Sequence, residues 1–426
     1  MRVRLLPAVL LLPLAASVPV ILPAAPAMAV EEDCGAVQVK EAGEARSAAT
    51  RESAPLEQLR IEEAHAYLAA RGKQPGAGVT VAVLDSGVTA SGGVRVSEHV
   101  SVTGRQGELD DWHGTAVAGL IAGTPRADDA GGLVGIAPYA EILDVRVFDS
   151  GDAASTEGKP VSADGLVEGL GVVLAHREVD IVNVSLFVDQ PDPRIAKLLT
   201  RLHRRGVVVV AAAGNRPTED DQPLYDDFGT PEAGQDAALR VFPAGYPSVV
   251  AVSATVDGLG DREDAAAYVL PNSRTDVAAP VVGGVTVGVD GGTCTVDDVV
   301  TSWAAAEVSG VLALMRTADP DATGDQLVAR LLSTADGRTD VRSPMTGAGV
   351  VQPLDALRRP VTPAEDGTLD TTAERSDRRA VAPEPEVDTM AATRRDAVWW
   401  GVLGGGVLLL ALVLRPLLAR RGPRSP

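Results

Sequence analysis

The apolar residues of this chain fall into two kinds of block that take turns. Short runs of β-branched and small apolar residues, bounded by turn residues, read as buried strands. These are "GVTVAVLDSGV" (78–88), "AEILDVRVF" (140–148), "DIVNVSLF" (180–187), "VVVVAAAGN" (207–215) and "VVAVSAT" (249–255). Between them lie segments with apolar residues at helical spacing. These are "WHGTAVAGLIAG" (112–123), "SADGLVEGLGVVLAHREV" (162–179), "PRIAKLLTRLHRRG" (193–206), "VVTSWAAAEVSGVLALM" (299–315) and "ATGDQLVARLLSTA" (322–335). Strands alternating with helices of this length predict an α/β doubly wound, mostly parallel sheet with helices on both faces. In such sheets functional groups gather at the carboxyl ends of the strands, and Asp85 and Asn215 both end strand blocks.

The two ends follow different patterns. Residues 1–29 open with Arg2 and Arg4, continue as an apolar run and finish in a small-residue "AMA", which reads as a secretory leader. Residues 397–418 hold the uncharged stretch "AVWWGVLGGGVLLLALVL" (397–414), about long enough to span a bilayer. Arg415, Arg420, Arg421 and Arg424 follow it, so a cytoplasmic carboxyl end and an extracytoplasmic body are expected. Residues 358–396 are polar, contain proline and lack apolar periodicity, the pattern of a flexible linker. The expected division is a leader at 1–29, an extension at 30–55, a body at 56–357, the linker, the membrane helix and a tail at 419–426.

Composition narrows the function. Asp and Glu outnumber Lys and Arg by 58 to 38, a net charge of −20, and aromatic residues make up 3% of the chain. Both features disfavour a nucleic-acid partner, which needs clustered cations and stacking rings. The two cysteines, Cys34 and Cys294, would share an oxidising compartment. They allow one intramolecular disulfide, with two unpaired thiols as the alternative. No CxxC pair or D-x-D-x-D-G loop is present, so neither a metal nor a cofactor is expected.

Candidate chemistry centres on four side chains. Ser302 stands where the last long helical block begins, so it reads either as a helix cap or as a nucleophile. His113 opens a helix of small residues that leaves room around an imidazole, and Asp85 supplies a carboxylate to orient it. Asn215 offers an amide donor, and the Ser302 N–H at a helix start offers a second. Each signal alone is weak. Together they match the needs of amide hydrolysis: nucleophile, base, orienting acid and oxyanion donors.

The order Asp, His, Ser is the subtilisin order. "VAVLDSGV", "HGTAVAGLIAG", "VVVVAAAGN" and "TSWAAAEVSGVLALM" resemble the Asp, His, oxyanion-Asn and Ser segments of the subtilisin-like serine peptidase family. "GIAPYAEILDVRVF" and "GAGVVQPLDAL" resemble its connecting segments. A leader, an acidic body and one carboxyl-terminal span resemble the mycosins, membrane-anchored proteases of type VII secretion. The resemblance implies a serine endopeptidase with Asp85, His113 and Ser302 as its triad and Asn215 as oxyanion donor. It also implies a protein or peptide substrate and a secretion-system membrane complex as partner. Three positions depart from the family pattern. Val300 stands where glycine is usual, Ala306 where proline is usual, and Phe187 where glycine is usual. They keep a second reading open, a catalytically weak or inactive scaffold that stabilises such a complex. The nearby "GGTC" (291–294) is discounted as a nucleophile motif because no helical run of small residues follows Cys294.

Overall fold

The computed structural model describes residues 33–40, 44–124, 132–151, 158–218, 224–256, 265–337, 341–369 and 390–419. The leader expected at 1–29 and the tail from residue 420 onward lie outside them. In chain order the elements are α1 (Ala54–Gln58), α2 (Ile61–Ala69), β1 (Thr80–Asp85), β2 (Val96–Ser101), α3 (His113–Ala122) and β3 (Glu141–Arg146). Then come α4 (Ala163–Ala175), β4 (Val179–Val184), α5 (Pro193–His203), β5 (Val208–Ala212), α6 (Leu224–Phe228), β6 (Val249–Thr255) and β7 (Val277–Pro280). The hairpin strands β8 (Gly284–Val287) and β9 (Thr293–Val296) precede α7 (Thr301–Ala318), α8 (Gly324–Thr334), α9 (Pro353–Arg358) and α10 (Ala391–Ala419).

Seven strands form one sheet in the order β2-β3-β1-β4-β5-β6-β7, and every pairing in it is parallel. Its central strands are buried on both faces, which explains why they read as unbroken apolar runs rather than alternating ones. Val81 and Val83 pack with α2, α3 and α7 on one side, while Ala82 and Leu84 pack with α4 and α5 on the other. All but Arg316 and Ala318 of the 18 residues of α7 are buried, so this helix runs through the core. The expected doubly covered parallel sheet is therefore the observed fold. After β1 the chain builds outward to β3 and β2, and from β4 it builds the other way. That reversal leaves a crevice at the carboxyl ends of β1 and β4, where Asp85 sits.

The segment ahead of α1 is strapped to the β8–β9 hairpin. Cys34 and Cys294 form a disulfide with Cα atoms 5.0 Å apart. Asp33 bridges Thr295, the Thr293 amide donates to the Ser47 carbonyl at 3.0 Å, and Asp290 accepts from the Ser47 amide at 2.6 Å. Downstream of α9 the chain runs along α8. Gln326 Nε2 donates to the Pro363 carbonyl at 3.0 Å, and Thr323 Oγ1 donates to the Glu365 carbonyl at 2.7 Å. The stretch expected as linker thus starts as a hydrogen-bonded strap, and residues 370–389 lie outside the described residues. α10 belongs to a second unit. It contains an apolar segment, Thr393–Pro416, long enough to cross a membrane, with mean hydropathy 2.2 and no burial.

Candidate active site

Asp85 is the last residue of β1 and is fully buried. Its Oδ1 accepts from the Ser86 amide at 2.8 Å and from His113 Nδ1 at 2.8 Å. His113 is the first residue of α3, and its backbone amide donates to Asp111 Oδ1 at 2.9 Å. Close backbone contact lets the two meet. A Cβ added at Gly114 would lie 2.6 Å from the Gly87 carbonyl oxygen, so only glycine lets α3 start this near the β1 loop. Ser86 Oγ accepts from the Gly114 amide at 2.9 Å and pins the same junction. Because an ionised carboxylate can only accept, His113 carries its proton on Nδ1. Nε2 is left as the acceptor, the form a general base needs. Burial opposes the imidazolium, yet the charge and hydrogen bond of Asp85, with Asp111 adding, carry His113 above the ordinary histidine range.

Ser302 is the second residue of α7 and is 5% exposed. It is not the helix cap. Val300 occupies that position, with no side-chain cap bond, and Thr301 begins the helix. Asn215 acts as the cap from a distance. Its Oδ1 accepts from the Thr301 amide at 2.7 Å and from Thr301 Oγ1 at 2.9 Å. With its oxygen committed, the Asn215 amide nitrogen is the atom left to serve an incoming group. The Ser302 N–H lies in the first turn, where no intrahelical carbonyl can take it. Ser185 Oγ donates to the Ser302 carbonyl at 2.9 Å and steadies the turn from β4. No hydrogen bond joins His113 to Ser302 among the described residues. The indole of Trp303 lies against the imidazole, with ring centroids 4.8 Å apart.

His113, Asn215 and Ser302 line one cleft of about 730 Å³. Phe187 also lines it, half-buried, where the family pattern has glycine. Val300 does not line it. The side chain is packed against the core and its φ of −127° is ordinary extended backbone, so glycine is not required there. Ala306 is buried in the middle of α7. A larger cavity of about 850 Å³ opens at the amino ends of β4, β5 and β6, away from this group. Its charges are partly paired, as in Arg316 with Asp180 at 3.4 Å. Among the described residues no cluster of three His, Cys, Asp or Glu could hold a metal ion.

Sequence reasoning missed the supports of this site. Trp303 stacks on both His113 and Trp112, the latter at 5.7 Å, and only the adjacency of "WHG" hinted at an aromatic neighbour. Thr301 was read as part of a motif rather than as the residue that orients Asn215. Glu307, one helical turn beyond Trp303, is 1% exposed with Oε2 unpartnered, and burial pushes its carboxyl well above the usual range.

Comparison with known proteins identifies the family. Residues 76–349 match the subtilase family (peptidase S8). The chain is 31% identical over 335 residues to Mycosin-1 of Mycobacterium tuberculosis, covering 72% of this chain and 73% of that one. It superposes with a TM-score of 0.57 on a solved structure described as the MycP3 protease from the type VII (ESX-3) secretion system. That match has 28% identity and covers 77% of this chain and 92% of the other. A chain in the periplasmic assembly of the ESX-5 inner membrane complex shares the fold, with a TM-score of 0.59 at 24% identity over 83% and 92% of the two chains. By its sequence match and its sheet, this chain belongs to the subtilase family of serine endopeptidases.

Proposed function

We propose that Asp85, His113 and Ser302 act as a catalytic triad on protein or peptide substrates. Ser302 Oγ would attack the scissile carbonyl while His113 Nε2 takes its proton. Asp85 would hold the imidazole by Nδ1 and stabilise the cation that forms. The Asn215 amide and the Ser302 N–H would meet the developing oxyanion. The observation that carries the reading is the 2.8 Å bond from His113 to buried Asp85, beside the cleft that Ser302 lines. The test is labelling of the full-length protein by a fluorophosphonate probe. Labelling in the wild type and none in Ser302→Ala is the expected result, and equal labelling of both refutes it.

The same proposal takes the chain to the membrane beside a type VII secretion complex, as the descriptions of its mycosin relatives suggest. α10 would be the single span, with the body extracytoplasmic and the arginines after residue 414 cytoplasmic. Protease added to spheroplasts should digest the body and spare a tag on the tail. Protection of the body would contradict this orientation. One observation favours the second reading, a weakly active scaffold: Phe187 occupies the wall of the cleft where the family pattern has no side chain.

A further inference from the structure

A second histidine–carboxylate pair stands behind Asp85. Val83 and Asp85 of β1 pair with Asp144 and Arg146 of β3, so Asp144 is the diagonal neighbour of Asp85 on the same sheet face. Asp144 is 4% exposed, and its Oδ2 lies 2.8 Å from Nδ1 of His99, directly opposite on the edge strand β2. Asp144 Oδ1 and Asp85 Oδ2 are both buried without a hydrogen-bond partner among the described residues. The His99 side chain is 45% exposed. A charge in the core, next to the orienting acid of the proposed triad, therefore reaches solvent through one imidazole.

The neighbours of Asp144 leave few other groups to answer it. Burial pushes its carboxyl up, with the charge of Asp85 adding, against the hydrogen bond of His99 and the pull of the nearby Val88 amide. The bond to Asp144 in turn holds His99 above the ordinary histidine range. Arg146, two residues along β3 and opposite Asp85, turns its terminal nitrogens to Asp149 at 2.8 Å, Asp110 at 3.5 Å and the Glu108 carbonyl at 3.0 Å, with its buried Nε left without a hydrogen-bond partner among the described residues. From α3 the facing group is His113, reached through Asp85. Asp111 ahead of it is bonded to the His113 and Gly151 amides. In the hairpin over α3, Asp290 is taken by Ser47 and Gly292. From α7 the acid is Glu307, whose carboxyl burial pushes well above the usual range.

We propose that His99 and Asp144 form a positioning pair for the Asp85–His113 dyad. Asp144 supplies negative charge behind Asp85 that keeps the His113 imidazole basic, and His99 offsets that charge when it takes a proton from solvent. The two histidines, linked through two carboxylates, then titrate against each other: protonating the exposed one lowers the basicity of the other. The idea rests on the reading of His113 as general base, and its test is built to stand apart from that reading.

The chain has five histidines, so the full-length protein in detergent, labelled with ¹³C at histidine Cε1, gives five titration curves assignable by single substitutions. Asp144→Asn removes the charge and should lower the His113 midpoint by on the order of one pH unit, for a unit charge at this kind of separation and an effective dielectric near 20. His99→Asn keeps a donor toward Asp144 but takes no proton, and should raise the midpoint. An unchanged midpoint in folded Asp144→Asn, or a shift of both variants in one direction, overturns the proposal. If Asp144→Asn does not fold, the His99→Asn arm decides alone, and the absence of a rise refutes the pair. The acid limb of fluorophosphonate labelling should move with each midpoint. If the wild type never labels, the triad reading has failed, while the titration still decides the positioning pair.

Discussion

Glu307 offers a test in which one buried group controls how stability depends on pH. It lies four residues after Trp303 on α7, and Glu307 Oε2 and Trp303 Nε1 are both buried without hydrogen-bond partners among the described residues. Burial pushes the folded carboxyl well above the range, near 4.3, where an unfolded glutamate ionises. The unfolded chain then binds fewer protons than the folded one over that interval. Stability is fully present below the unfolded value and is lost as pH rises toward the folded value, by up to about 1.4 kcal/mol per pH unit. Glu307→Gln stays neutral at every pH and removes this slope. Between pH 5 and 7 the stability of the variant relative to the wild type should rise by up to about 2.7 kcal/mol. Near pH 4 the two should differ by only about 1 kcal/mol, because a neutral acid and an amide leave a similar polar group buried. The assay is denaturant unfolding of the full-length protein at several pH values, followed by tryptophan fluorescence. Every other titrating group cancels in the difference between variant and wild type. A difference that stays flat from pH 4 to 8 refutes the reasoning, since it would mean that Glu307 is ionised in the folded protein. Glu307→Leu, which removes the unpaired polar atoms altogether, should be at least as stable as Glu307→Gln above pH 6.

Three further outcomes are expected. Asp85→Asn should keep the fold but slow fluorophosphonate labelling by roughly 10³ to 10⁴-fold, the scale seen when a triad carboxylate is made an amide; labelling within tenfold of the wild type would remove Asp85 from the chemistry. Phe187→Gly should widen the cleft and speed labelling, whereas Val300→Gly should give no gain and cost about 1 kcal/mol of stability in a denaturant melt, because valine already fits that extended backbone. An equal gain from both would mean that the Val300 side chain reaches the cleft. Replacing Cys34 and Cys294 together by serine should remove up to about 5 kcal/mol in the chain-entropy model for a 260-residue separation. An unchanged unfolding midpoint would mean that the hydrogen bonds of Ser47 alone hold the strap.

The strands that were legible in the sequence are those of the sheet interior. β1, β5 and β6 are unbroken apolar runs buried on both sides, and β3 and β4 keep enough apolar residues around Asp144, Arg146 and Asn183 to read as strands. β2 escaped notice because it is the sheet edge. Its "VSEHVS" is partly exposed and sets Ser97, Glu98, His99 and Ser101 among only two valines, so no apolar run shows. β7, β8 and β9 are four residues each, shorter than any periodicity needs to declare itself. Asp85 and Asn215 could be found because a strand end is a position in the pattern. Asp144 could not, because its meaning comes from register. It stands mid-strand in "EILDVRV", and only the pairing of β3 with β1 and β2 places it between His99 and Asp85.

The three departures from the family pattern separate once each side chain is located. Glycine before the nucleophile matters where the backbone needs φ beyond the reach of other residues, and at Val300 it does not: φ is −127° and the side chain packs on the core. Ala306 lies inside a helix that is buried almost throughout. There it keeps the amide that a proline would delete, so the turn carrying Ser302 loses nothing by the change. Phe187 alone stands in the cleft. It follows Leu186 beyond the carboxyl end of β4 and lines the same cleft as Ser302. Two of the changes are thus absorbed by the packing of α7, and the third acts on access. A lowered activity should therefore appear as a restriction on which substrates enter, with small probes reaching Ser302 more readily than bulky peptides. Equal exclusion of both would place the fault in the Asp85–His113–Ser302 geometry instead.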